Sequence, residues 1–112
     1  NTFVWRSDPN AAQRDGLKFV DCSAGVLSGL QTEHLCYGSQ EQGAGITLEG
    51  CQDVTIGHCQ VLDPLHCGIE LRDSERCIVD GCTILDRKNP PTMVEAIRVV
   101  GGADNQVDRN FT

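Results

Sequence analysis

The sequence predicts an all-β solenoid of three to four coils, each made of three short strands, and three observations carry that reading. Residues 45–63 recur without a gap as residues 68–86, with positions 46/69, 48/71, 54/77, 56/79, 59/82, 61/84 and 62/85 apolar in both copies. Apolar residues alternate with others in short runs, as in Ile46-x-Leu48, Val54-x-Ile56 and Cys59-x-Val61, the period-two pattern of a strand with one inward face. Gly, Asp, Asn and Ser separate the runs and supply turns, and no run is long enough for an amphipathic helix.

Taken in chain order, Asn1-Thr2-Phe3-Val4-Trp5 has the composition of a strand from an earlier coil, and the polar segment 6–15 that of a loop or short helical turn. Coils then start near residues 16, 45, 68 and 96: Gly16-Leu17-Lys18-Phe19-Val20 is the loosest copy, and Ala96-Ile97-Arg98-Val99-Val100 opens the last. The repeat of 23 residues (68 − 45) holds three strands, so each strand pairs with its equivalent one coil up, about 4.8 Å away. A single coil cannot bury its inner face, which is why the unit repeats. Stacking sets Cys59 beneath Cys82 and Val61 beneath Ile84. The whole chain, 1–112, forms one such segment.

Composition narrows the function. The formal net charge of −7 argues against a sequence-independent grip on nucleic acid. No apolar run reaches the length of a membrane span, and no signal-peptide pattern opens the chain, although Asn1 is not an initiator Met. The seven cysteines (22, 36, 51, 59, 67, 77, 82) include no C-x-x-C pair and fit neither a zinc ribbon nor a thioredoxin-like motif, so they are expected as small thiols filling a narrow core. An odd count leaves at least one unpaired within the chain.

Gly-Ile-x-Leu, then Asp-Val-x-Ile-x-x-Cys, then a strand ending in Asp resembles the right-handed parallel β-helix repeat of pectate lyases, polygalacturonases and alginate-modifying epimerases. The resemblance covers residues 45–112 well and 16–30 loosely. The leucine-rich repeat, the main rival fold, lacks support because its Asn ladder is missing and it has one strand per copy. The resemblance implies a three-sided, right-handed parallel β-helix of an extracytoplasmic protein, secreted or periplasmic. It also implies that the outer face of the Gly-Ile-x-Leu sheet lines a groove for a polysaccharide or oligosaccharide.

On that face the alternation puts Lys18, Thr47, Glu70 and Arg98 in one column and Val20, Glu49, Arg72 and Val100 in the next, with Glu70 beside Arg98 and Glu49 beside Arg72. Opposite charges at strand spacing decorate many solvated sheets. In a groove the same groups bind sugar hydroxyls or carboxylates and supply a carboxylate for proton transfer, which makes Lys18, Thr47, Glu49, Arg72 and Arg98 candidate binding residues and Glu70 a candidate catalytic one. Insertions 31–44 and 87–95 enter the same strand position and are expected to overhang this sheet. Between them, Leu65-His66-Cys67-Gly68-Ile69 is similar to the Gly-His-Gly-Leu element of polygalacturonases and nominates His66 as a second catalytic candidate. The paired Asp-Asp motif of those hydrolases, which supplies the two carboxylates flanking a glycosidic bond, has no counterpart. His58 falls in a turn between strands and His34 in the longer insertion, both weaker candidates.

A lyase of this class uses calcium held by clustered carboxylates, for which Asp63, Asp86 and Glu95 are the candidates. The alternative is that an Asp closing each coil accepts N–H bonds in the turn. The coils expose unpaired strand edges at either end, so self-association is a second expectation. The competing function is a structural or assembly module without catalysis.

Overall fold

The computed structural model describes residues 2–5, 17–33, 44–64, 66–87 and 89–112, and every regular element among them is a β-strand. In chain order these are β1 Thr2–Trp5, β2 Leu17–Val20, β3 Val26–Ser28, β4 Leu30–Glu33, β5 Ala44–Glu49, β6 Thr55–Gly57, β7 Gln60–Leu62, β8 Cys67–Arg72, β9 Ile78–Asp80, β10 Thr83–Leu85, β11 Glu95–Val100 and β12 Gln106–Asp108. Every third strand pairs in parallel with the last, giving sheet A (β2-β5-β8-β11), sheet B (β3-β6-β9-β12) and sheet C (β1-β4-β7-β10). This is the three-sided parallel β-helix that the repeat predicts.

Equivalent residues stack. Leu17, Ile46, Ile69 and Ile97 form one inward row of sheet A, and Phe19, Leu48, Leu71 and Val99 the next. Leu27, Ile56, Val79 and Val107 line sheet B, and Thr32, Val61 and Ile84 line sheet C. The aliphatic members of these rows on the two middle rungs are essentially inaccessible, at 0–1 % exposure. The alternation of β-branched and Leu residues makes these strands, since each buries one face of a pleat against the other two sheets.

The corners explain the turn residues. Three columns of left-handed backbone run up the solenoid: Asp21, Gly50, Asp73, Gly101; Ala24, Asp53, Arg76, Asp104; and Gly29, His58, Gly81, Arg109. In the first, Asp and Gly alternate because the Asp carboxylate leans over the next rung: a Cβ on Gly50 would sit 2.4 Å from Asp21 Oδ1, and one on Gly101 would sit 2.4 Å from Asp73 Oδ1. Only glycine leaves that space open and tolerates the positive φ cheaply.

Six of the seven cysteines lie among the described residues; all six are free thiols, Cys22 exposed and the other five buried. Four occupy interior corner positions, where each thiol lies near two carbonyls, one two residues back and one on the rung below: Cys51 with Glu49 O and Phe19 O, Cys59 with Gly57 O and Leu27 O, Cys77 with Glu75 O and Cys51 O, Cys82 with Asp80 O and Ile56 O, at 3.3–3.8 Å. Ser74, one rung above Cys51, repeats the pattern with Leu48 O and Arg72 O. On the last rung Asn105 and Asn110 take over, each side chain bonding the rung below at both ends, to Cys77 N and Ser74 O and to Cys82 N and Val79 O. Small polarisable or hydroxyl groups suit a corner whose carbonyls point inward.

Of insertion 31–44, residues 31–33 belong to β4 and Ala44 to β5, and 34–43, with Cys36 and His34, lie outside the described residues, as does segment 6–16. Insertion 87–95 ends in β11, which begins at Glu95, and its Met93 packs on the core.

Candidate functional site

Strand register places the candidate columns side by side on the outer face of sheet A. Lys18 pairs with Thr47, Thr47 with Glu70 and Glu70 with Arg98; Val20 pairs with Glu49, Glu49 with Arg72 and Arg72 with Val100. The ion pairs, however, do not follow the register. Arg72 Nη2 reaches along its own strand to Glu70 Oε1 at 2.7 Å, whereas Glu49 takes Lys18 Nζ diagonally at 3.4 Å. Side chains two apart on a strand share a face, so a long guanidinium can choose between its rung neighbour and its strand neighbour, and the sequence pattern does not say which.

This face is only partly a solvated one. Thr47 is 3 % exposed and Glu70 is 7 % exposed, although both point away from the core. A carboxylate removed from water is costly unless paired and hydrogen-bonded, and Arg72 supplies both the charge and the bond. In return, the hydrogen bond and negative charge of Glu70 raise the Arg72 guanidinium above its ordinary value.

His66 stands at the entrance to β8. Its carbonyl accepts the N–H groups of Val94 at 2.7 Å and Glu95 at 3.4 Å, fastening the end of insertion 87–95 to the site. Its Nε2 lies 3.5 Å from Arg98 Nη1; arginine has no acceptor, so the imidazole nitrogen is the accepting partner in this contact. The histidine thus meets Arg98 from the turn, while Arg98 adjoins Glu70 by register. Beneath them Cys67, stacked between Ala44 and Glu95, is pushed up to about 12 by burial first and by the charges of Glu70 and Glu95 next, with Arg98 opposing. Its thiol lies 3.3 Å from Ile69 O and remains a neutral donor, not a nucleophile.

The calcium trio is not assembled. Asp63 is buried and accepts from Arg87 three times, from the backbone N–H at 2.7 Å, Nε at 3.2 Å and Nη2 at 2.7 Å. Asp86 Oδ2 accepts the N–H groups of Thr92 and Met93 at 2.7 Å each. Glu95 sits over Cys67 at the start of β11. Among the described residues no group of three or more His, Cys, Asp or Glu is placed to hold a metal ion. Arg87 instead meets the Asp63 carboxylate, and loop N–H groups claim Asp86. The turn role is the one the geometry shows for Asp86, which closes its own loop, whereas Asp63 ties the rung above.

A model of the right-handed β-helix region matches residues 6–111. The chain belongs to the right-handed β-helix family. Comparison with curated proteins and with solved structures returned no match, so for this β-helix chain the family establishes the fold, including its hand, and leaves the chemistry to the site. No helix among the described residues is long and apolar enough to cross a membrane.

Proposed function

We propose that this chain is a carbohydrate-binding or carbohydrate-processing β-helix segment of an extracytoplasmic protein, with the outer face of sheet A as the oligosaccharide site. One observation carries the reading: Glu70, an outward-facing carboxylate, is nearly enclosed there, clamped by Arg72, with Arg98 and His66 at its side. Fixed carboxylate and guanidinium groups suit sugars, whose hydroxyls both donate and accept and whose acidic forms pair with arginine. Glu49 and Lys18 extend the polar surface along the solenoid axis, with Thr47 enclosed between Lys18 and Glu70, so a linear glycan would meet one rung after another. In this reading Glu70 is the group for proton transfer and His66 the titratable group at the mouth.

A glycan array probed with the wild type, Glu70→Ala and Arg98→Ala tests this. Binding by the wild type that falls at least tenfold in both variants, with the far-UV spectrum unchanged, is the expected result. Turnover of a bound glycan would assign the processing role to Glu70 or His66. No glycan signal from a folded wild type would overturn the proposal in favour of a structural module.

A further inference from the structure

Outside the outer face of sheet A, the described residues include six thiols, and Cys59 and Cys82 are stacked with both buried. We propose that Cys59 and Cys82, on consecutive rungs, form a dithiol that an oxidising environment closes into a disulfide across the two rungs. Gln60 pairs with Thr83 immediately after the two cysteines, and the Thr83 N–H donates to the Cys59 carbonyl at 2.9 Å. The two Cα atoms are therefore one rung apart, about 4.8 Å, inside the range of roughly 4.4–6.8 Å that disulfides span.

Both side chains point into the same interior corner and each is 1 % exposed. Their carbonyl contacts are weak, at 3.4 and 3.7 Å for Cys59 and 3.7 and 3.8 Å for Cys82, so little is given up when the thiols are consumed. The neighbouring Cys82 lowers the Cys59 thiol below its ordinary value, while Cys82, beside Cys59 and buried, is raised. The other described thiols are placed differently. Cys67 stacks between Ala44 and Glu95, the Cys77 thiol lies near Cys51 O and Glu75 O, and Cys22, below Cys51, is exposed.

A small disulfide such as oxidised glutathione is the oxidant. Cys59, having lost its proton, attacks one sulfur of that disulfide and expels a first glutathione thiolate, which takes up that proton. Cys82, losing its own, then attacks Cys59 Sγ and expels the second, so two protein thiols and one disulfide give one protein disulfide and two glutathione thiols. Enclosure means that the reaction occurs during folding or on transient opening of this corner, and that the product is afterwards shielded from reductants.

The test uses the full chain with Cys22→Ala and Cys36→Ala, refolded and equilibrated in a glutathione buffer of oxidising poise, then alkylated, digested and mapped by mass spectrometry without reduction. The expected result is a Cys59–Cys82 link with Cys51, Cys67 and Cys77 alkylated. Closing a loop of 23 residues (82 − 59) raises Tm by about 10 °C over the reduced protein, an increase abolished by Cys59→Ala or Cys82→Ala. Alkylation of both Cys59 and Cys82, or their linkage to other cysteines, overturns the proposal. The mapping decides even where an alanine variant fails to fold.

Discussion

The two middle rungs and the last rung contain the same pattern and fare differently. Leu48 and Leu71 are sealed at 0 %, yet Val99, the next residue of their row, is 48 % exposed; Ile56 and Val79 are sealed, yet Val107 above them is 44 % exposed. The strands, register and corner conformations are the same. What differs is that, among the described residues, β11 and β12 are edge strands with a neighbouring rung on one side. Burial in a solenoid is therefore a property of the stack, and a residue's contribution to stability depends on how many rungs flank it.

The sharpest way to break that comparison is a pair of truncations in one row. Leu71→Ala is expected to destabilise the fold by about 3 kcal/mol, through lost transfer energy and a cavity that flanking rungs hold open, whereas Val99→Ala is expected to cost less than about 1 kcal/mol. Urea unfolding monitored by far-UV circular dichroism measures both, and equal costs would refute the dependence on flanking rungs.

Gly68→Ala comes next. A Cβ there would lie 2.3 Å from Ile84 Cγ2 and 2.5 Å from Ala96 O, so the sheet C row must move away from β8, at an expected cost of about 2 kcal/mol in the same assay. Ala96 occupies the equivalent place on β11, an edge strand of sheet A among the described residues. Thr32→Val should do the opposite and stabilise by about 1 kcal/mol. Thr32 is 1 % exposed and its Oγ1 has no hydrogen-bond partner among the described residues, so an isosteric methyl removes an unmet polar group from the Val61–Ile84 row.

The smallest effect is acid-dependent. Arg76 bonds Asp53 across the middle rungs and Arg109 bonds Asp80 from the last rung, in each case holding the carboxyl below its usual value, chiefly through the hydrogen bond. A lowered folded-state value means that the stabilisation is complete above the ordinary carboxylate range and is lost as pH falls through the folded value, below about pH 4. Both pairs are exposed, so each change is small. Hydrogen exchange should show Asp80→Asn speeding exchange in β12, with Asp53→Asn leaving β12 unaffected.

Much of this was legible in the residues. The gapless copy fixed which residues share a row, so Leu17, Ile46, Ile69 and Ile97 and the column Lys18, Thr47, Glu70, Arg98 are where the repeat puts them. The alternation of Asp and Gly at 21, 50, 73 and 101 was a readable signal of a left-handed corner, visible once rungs are aligned. The partner of Arg72 was not legible, because Glu49 and Glu70 are equally near by pattern and rotamer choice decides. Nor was the loss of the metal trio, which depends on Arg87 reaching Asp63 across a rung.

By itself the sequence determined the solenoid, its register and the face on which the charges gather, because period-two alternation and a fixed repeat length leave one way to stack the copies. Whereas the stacking of Cys59 and Cys82 already followed from the repeat, the tertiary structure alone decided that Glu70 is enclosed under Arg72 and that Asp63 is claimed by Arg87. Those outcomes depend on side chains from different rungs competing for the same space and charge, and that competition exists only once the rungs are in contact.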